Sequence, residues 1–392
     1  MTTSSDFKAP QGLFEGIGRR ALMLGAVGVV VSLVGLFVDG DQLAKSYLVA
    51  WLLAVGISLG CLAILMIDHL AGGRWGLVIR RTTEAAASTL PILAVLMIPI
   101  LVSLPRIYSW AVPGAAEADP LLAQKVVYLN PTFFTVRAAV YFAIWSGFAW
   151  LLISWSRKQD ETGDEILAQR MRAVAAPGLG VLALTSTFAA IDWLMSLDPH
   201  WFSSLFGIYF LGGVGVSGFA FVILVANLLS RHEPLEGMFT RLHFHDYGKF
   251  LLAFVMLWSY FAISQLLIIW MANLPEEVTW YIDRIQGGWV WMSIAIGLFH
   301  FALPFLILLS ADIKKNANRL AIVALLLIVM RWVDLYWQVA PSFHDHLTFH
   351  WLDITTLLAV AGVWVFVFFR QLAGHRLLPI NAPRVREVLD SE

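Results

Sequence analysis

The sequence predicts an all-α, polytopic membrane protein of about ten transmembrane helices. Three observations predict it. The 392 residues are 59% hydrophobic and 14% charged, whereas a soluble chain carries about 25% charged residues. Apolar runs of about 20 residues, long enough to span a bilayer, recur along the whole length. The segments between them alternate between Lys/Arg-rich and Lys/Arg-poor, the charge signature of membrane topology. Length alone would allow about two or three soluble domains. Hydropathy overrides that and gives one integral membrane domain over 1–392. Lys+Arg (26) and Asp+Glu (27) nearly cancel, so the charge balance implies no basic surface for nucleic acid, while the hydropathy implies membrane lipids as surroundings.

The elements follow in order. A polar tail, 1–18, precedes an apolar run with no convincing small-residue cleavage site, so that run reads as a first helix and not as a signal peptide. The ten spans fall at roughly 19–38, 46–70, 85–110, 132–156, 174–197, 203–229, 246–272, 285–311, 318–340 and 351–373. A second tail, 374–392, closes the chain. Pro91 and Pro99 should kink the third helix, and the carbonyls they free need partners from neighbouring helices or water. The glycines at 212, 213, 215 and 218 fall inside the sixth helix, where small residues let helices approach closely. Cys61 is the single cysteine. It makes no internal disulfide and reads as a packing residue. The loop 157–173 is polar and reads as a short surface helix. No short-period repeat appears.

An even helix count puts both termini on one side. That side holds Lys8, Arg19, Arg20, Arg74, Arg80 and Arg81, and later Arg157, Arg231, Lys314, Arg370, Arg384 and Arg386. The opposite loops hold little beyond Lys45, Lys125 and Arg284, and are acidic around Glu117, Asp119, Glu276 and Glu277. The positive-inside rule then places both termini in the cytoplasm.

Ionisable residues inside such helices carry the functional question, because a bilayer penalises them unless they are paired or used. Asp192 lies about six residues from the predicted end of its helix, roughly 9 Å below it. Ser196 is one turn further on and would extend a polar path outward. Asp198 and His200 follow in a Pro-centred turn and read as a turn network. Arg331 and Asp334 are three apart on the ninth helix, share a face, and read equally as a structural ion pair or as a proton relay. His300 lies mid-way along the eighth helix, before Pro304. It is a packing histidine or a relay member, its ordinary pKa near 6.5 suiting the second role. Asp246 and Lys249 open the seventh helix, either as a capped start or as functional groups. Tyr260, Ser264 and Gln265 form a polar row further along it, able to bind helices together or to hold water. Asp68, His69 and Glu84 lie at the cytoplasmic ends of helices two and three, either as a charged rim or as a proton uptake point, and the rim is the simpler expectation. Arg106 and Arg137 read as snorkelling side chains. His344, His346 and His350 in the last outer loop lack the supporting ligands of a metal site. The sequence also lacks Cys-x-x-Cys-His for covalent haem and paired mid-helix histidines for b-haem. From residues alone the chain is a proton- or quinone-handling subunit, a secondary transporter, or a membrane scaffold.

Two stretches carry a resemblance. One is Ser186 to Gly207, with Phe-Ala-x-x-Asp192-Trp-x-Met-Ser196-Leu-x-Pro199-x-Trp-Phe-Ser. The other is His245-Asp246-Tyr-Gly-Lys249 leading into Trp258-Ser-Tyr260-Phe-Ala-Ile-Ser264-Gln265 and on to Asn273-Leu-Pro-Glu-Glu277. Over essentially the whole chain they resemble the ActF family, the NrfD/PsrC-like integral membrane subunits of alternative complex III. That resemblance implies two four-helix bundles plus a flanking helix pair, in a bacterial inner (cytoplasmic) membrane. It implies a quinol:cytochrome c or electron acceptor oxidoreductase complex, with no redox chemistry on this chain alone. Haem c and iron–sulfur clusters would sit on partner subunits: multihaem cytochromes c, an iron–sulfur subunit and an ActC-like sister membrane subunit, with a terminal oxidase as a further partner. Family members are labelled a second quinone-binding subunit and are assigned proton half-channels. The resemblance carries Asp192, Asp246, Lys249, Tyr260, Ser264 and Gln265 over as matching positions. The sequence departs from the pattern at Leu266 and Met271, where Tyr is expected, and at Ser204, where Thr is expected.

Overall fold

The structure, a computed structural model, describes residues 7, 10–382 and 385. Lys8, Arg384 and Arg386, counted above toward sidedness, lie outside the described residues. Every regular element is helical, with no β-strand among the described residues. Ten helices are long and apolar enough to cross a membrane. They are α1 (Gln11–Val38), α2 (Gly40–Ala71), α3 (Arg74–Val102), α4 (Pro131–Thr162), α5 (Glu165–Trp193), α6 (Phe206–Leu229), α7 (Arg241–Ala272), α8 (Trp289–Leu309), α9 (Ala317–Val339) and α10 (Trp351–Ala373). The chain thus has the architecture of a multi-pass membrane protein.

Packing divides the helices into groups. Helix α2 packs on α3 and α5, and α4 on α5. Helix α6 packs on α7 and α9, and α8 on the same two. We call α2–α5 the first set and α6–α9 the second. They meet chiefly where α2 crosses α6, and also where α5 packs on α6 and α9 on α2. There a Cβ on Gly60 would stand 2.4 Å from the Val214 carbonyl, and one on Gly218 would stand 2.8 Å from the Gly60 Cα. Close backbone approach of this kind is what holds membrane helices together when no hydrophobic driving force acts between them. Both crossing helices are apolar on nearly every face and buried on nearly every face, as expected of helices at the centre of a bundle.

Helices α1 and α10 form an antiparallel pair, and α10 also packs on α2, where Ser58 accepts from Trp364 Nε1 at 2.9 Å. Gly25 lies on Gly362, Gly28 on Ala359 and Gly35 on Leu352. This brings the start of α1 and the end of α10 to one end of the molecule, where the Leu377 N–H donates to the Phe7 carbonyl at 2.9 Å. We call that end proximal and the opposite end distal.

The prolines of α3 act as expected. The helix breaks at Ser88–Thr89 and at Leu96–Met97, just ahead of Pro91 and Pro99. Two carbonyls there lose their helical partners and gain side chains from α2. Trp51 Nε1 donates to the Leu93 carbonyl at 2.9 Å, and the Tyr47 hydroxyl to the Leu96 carbonyl at 2.7 Å. The loop at 157–173 differs from expectation. Helix α4 runs on to Thr162 and α5 starts at Glu165, leaving a two-residue turn in place of a surface helix. Gly163 takes the left-handed conformation (φ 68°) that ends α4, and Asp164 caps α5.

Candidate functional site: two buried Arg–Asp–Tyr groups

Each helix set holds one buried group of arginine, aspartate and tyrosine near its distal end. The two aspartates arrive there in the same way. Each sits near the end of the last helix of its set, seven residues before a loop proline: Asp192 before Pro199, and Asp334 before Pro341. That correspondence is an internal likeness longer than the short periods a sequence scan looks for.

In the first set, Arg137 of α4 grips Asp192 with two parallel bonds, Nε to Oδ2 at 2.8 Å and Nη2 to Oδ1 at 3.0 Å. The Tyr141 hydroxyl donates to the same carboxylate at 2.8 Å. Arg137 Nη1 donates to the Tyr128 carbonyl at 2.8 Å, and its guanidinium lies over the Tyr128 ring at 3.8 Å. Arg137 is therefore buried and does not snorkel. It had been expected to snorkel because its partner lies 55 residues away in sequence. Beneath the pair, Trp51, Trp145 and Trp193 pack edge to face. Ser196 does not extend a path from the carboxylate, since its hydroxyl donates to the backbone carbonyl of Asp192 at 2.5 Å. His200 and Asp119 join two distal loops at 2.6 Å. Asp119 is held below its usual range mainly by the Leu121 N–H and also by His200. Asp198 accepts from the His200 N–H at 3.2 Å, as a turn network would.

In the second set, Arg331 Nη1 donates to Asp334 Oδ2 along the same helix face. The Tyr209 hydroxyl of α6 donates to Asp334 Oδ1 at 2.7 Å, and Gln338 Nε2 donates to the Tyr209 oxygen at 3.3 Å. The Arg331 guanidinium lies on Gly213, where a Cβ would come within 2.2 Å of Cζ. His300 sits in a π-helical turn, Ile296–Ala302, ahead of Pro304. Pro304 has no N–H to offer the His300 carbonyl, and the wider turn absorbs the mismatch. Such turns recur at functional sites. The His300 ring lies tilted against Trp258 with centroids 4.0 Å apart, and the charges acting on it are those of Asp334 and Arg331. Trp258 Nε1 and both His300 ring nitrogens are buried with no hydrogen-bond partner among the described residues. Burying polar groups this way is costly.

Arg284, just beyond the distal end of this set, is also buried. It donates to the carbonyls of Trp280 at 2.8 Å and Gln338 at 2.7 Å, and its guanidinium lies on the Trp280 ring at 3.5 Å. Burial pushes it down to about 9, with Asp283 the largest opposing charge, so it remains a cation at neutral pH. Two cavities meet at this residue. One, of about 250 Å³, is apolar, opens between α7 and α8, and is lined by Tyr209, Trp258, Gln265, Tyr281 and Arg284. The other, of about 450 Å³, is polar, distal, and lined by Asp198, Asp283, Arg284 and Asp345. Burial raises Asp283 above the usual carboxylate range, and Asp198 and Asp345 add to the effect.

The remaining predicted residues separate. Gln265 is buried, accepting from the Ser203 hydroxyl at 3.0 Å and donating to the Tyr281 hydroxyl at 3.3 Å. Tyr260 faces outward, 64% exposed, and Ser264 is half-buried, so the expected Tyr–Ser–Gln row is not one face. Residues five apart point about 140° apart on a helix. Asp246 and Lys249 pair at 3.1 Å on the exposed proximal surface, a solvated start to α7.

Asp68, His69 and Glu84 do not form a rim. Asp68 bonds Arg80 at 2.8 Å, Glu84 bonds Arg81 at 2.5 Å, and Arg81 also reaches Asp160. All four acids and bases of α2 and α3 in this network are buried. The rim expectation failed because it treated Arg80 and Arg81 as loop charges, whereas α3 begins at Arg74 and carries them inside. A polar cavity of about 290 Å³ opens onto Asp68, His69 and Arg80 from the proximal end. His344 Nε2 donates to Gln42 Oε1 at 2.9 Å, and His350 caps α10.

The sequence reading missed Tyr141, Tyr209, Gln338 and the pairing of Arg137. The spacing Arg137–Tyr141, one turn apart on one face, was a usable signal. Tyr209 and Gln338 had none. Comparison with protein-family models and with curated proteins finds no match to this chain.

Proposed function

We propose that the chain is a membrane subunit of a respiratory quinol-oxidising complex of the alternative complex III type, and that its second helix set handles protons. The resemblance of the two long motifs supports the complex. The two sets of four helices with a flanking pair fit the NrfD-like arrangement that the resemblance implies. In this reading the complex sits in a bacterial inner membrane and passes electrons from quinol to a cytochrome c or other acceptor. Haems c and iron–sulfur clusters belong to partner subunits. The proximal end, rich in arginine, faces the cytoplasm.

One observation carries the proton reading: Asp334 is bonded to Arg331 and Tyr209, and through Tyr209 to Gln338, beside a buried histidine whose ring nitrogens have no partner among the described residues. A carboxylate, a phenol and an imidazole can each bind and release a proton. A polar cavity also opens onto Asp68 and His69 at the proximal end of the first set. The test is Asp334→Asn in the assembled complex. Proton release per electron should fall while the complex still assembles. A variant that assembles and releases protons like the parent leaves the chain as a scaffold.

A second reading has one observation in its favour. The apolar cavity between α7 and α8 offers Gln265 and Tyr281 as polar partners, the features a quinone head would need. Quinone density there, or labelling of these residues by a photoreactive quinone, would establish it. Labelling confined to another subunit would exclude it.

A further inference from the structure

The α1–α10 pair changes character along its length. Its middle is closed by backbone. A Cβ on Gly25 would stand 3.1 Å from the Gly362 Cα, and one on Gly28 would stand 2.6 Å from the Ala359 nitrogen. Toward the proximal end, side chains take over. A Cβ on Gly18 would meet Phe366 at 3.6 Å and Phe369 at 3.8 Å. Aromatic rings space the helices there, and a cleft of about 510 Å³ opens between them.

The lining of this cleft is divided. Leu22, Phe366 and Phe369 give it an apolar wall, and Glu15, Arg19 and Arg370 give it a charged rim. The two arginines stand level. Gly25 opposite Gly362 and Gly28 opposite Ala359 fix the register of the pair. That register places Arg370 opposite Ile17, two residues from Arg19 and so roughly 3 Å from it along the axis. Both arginines are exposed, and neither joins an ion pair among the described residues.

Two guanidinium groups at one level on one cleft suit an anion with several oxygens, since each can bond a phosphate group through two parallel N–H donors. The apolar wall beside them suits a hydrocarbon chain. One kind of molecule supplies both. We propose that the cleft binds a singly anionic diacyl phospholipid, its phosphodiester between Arg19 and Arg370 and an acyl chain along Leu22, Phe366 and Phe369. Basic pockets between membrane helices hold anionic headgroups in this way.

Charge decides among headgroups. Two arginines against Glu15 leave the rim with a net of one positive charge, which a single phosphodiester cancels. A zwitterionic lipid brings its own cation and leaves the rim uncompensated. The bound lipid ties α1 to α10 where their backbones no longer meet. Helix α1 has little other support, packing chiefly on α10 and only lightly on α2. This site stands independently of the proton-handling reading.

The experiment is native mass spectrometry of the full chain in a mild detergent, with phosphatidylglycerol, phosphatidylethanolamine or phosphatidylcholine added in turn. One phosphatidylglycerol should be retained at concentrations where the other two are lost. Equal retention of all three overturns the assignment. This comparison uses the parent chain, so it holds should a variant fail to fold. Arg19→Gln and Arg370→Gln should each weaken the binding about fivefold, the worth of one basic residue near a membrane surface. Arg20→Gln is the control. Arg20 is also exposed but does not line the cleft, so its loss should leave binding unchanged. If Arg20→Gln weakens binding as much as Arg19→Gln, the attraction is diffuse and the cleft is no site. Excess glycerol phosphate tests the apolar wall: the lipid should stay bound, and its displacement would show that the rim takes a bare anion and overturn the lipid.

Discussion

The two Arg–Asp–Tyr groups have the same chemistry and opposite surroundings. Around Asp192, the arginine binds both oxygens, the tyrosine adds a third bond, and tryptophans pack below. Around Asp334, the arginine and tyrosine lie with an amide oxygen and two histidine nitrogens that have no partner among the described residues, a π-helical turn and two cavities. Both Asp192 oxygens are bonded, although the Tyr128 hydroxyl beside them is buried with no hydrogen-bond partner among the described residues. A pair bonded this fully works as a lock, because moving a proton through it would break several bonds at once. A partly satisfied one leaves room for water and a low barrier to rearrangement. A buried acid in a membrane helix therefore signals a special site, but its neighbours decide whether that site holds or conducts.

The largest expected effect breaks the lock. Asp192→Ala leaves Arg137 buried and unpaired, which costs about 3–5 kcal/mol. The yield of folded protein and its thermal midpoint in detergent should both drop. Replacing the pair together, with Arg137→Met and Asp192→Leu, should recover most of that loss. If Asp192→Ala folds normally but lowers proton release, the lock and the relay are assigned the wrong way round.

Next is Gly60→Ala. Its new methyl meets backbone on α6, which has no flexible side chain to yield, so a loss of about 1–3 kcal/mol is expected. Gly213→Ala sharpens the comparison further. It presses on the guanidinium of Arg331, which can shift, so it should disturb proton release more than the midpoint of unfolding.

His300→Phe should keep or raise stability, by about 1 kcal/mol, because it removes a buried polar group without partners. It should also slow proton release. A marked loss of stability would mean that His300 is a satisfied packing residue after all.

The smallest effect is a pH dependence. Burial, helped by Lys45, lowers His344 below its ordinary value. The unfolded chain then takes up this proton before the folded one does. Stability should be full above about pH 6.5 and should decline as pH falls from there toward the folded value. His344→Gln, which can still bond Gln42, should flatten that slope in thermal unfolding between pH 7.5 and 5.5.

Much of the fold was legible. Apolar runs found all ten helices, and α10 fits its expected ends, because span length is set by the bilayer. The ends of α4 and α5 were missed, since charged residues such as Arg157 and Arg170 continue a helix past the apolar layer. The site was legible only in part. Asp192, Asp334 and His300 stand out as polar residues in apolar helices. Arg137 and Arg284 do not, because an arginine near a helix end looks the same whether it reaches outward or folds inward. Tyr209 sits among phenylalanines, and its role depends on a residue 125 positions away.

The bare crossing of α2 and α6 has a mechanical consequence. Two helices touching through glycine backbones have no side-chain cushion between them. Sliding would drive larger residues into contact, whereas tilting about the crossing would not. Were the two sets to rock against one another, this crossing would be the fulcrum: widening the gap between them at one face would narrow it at the other.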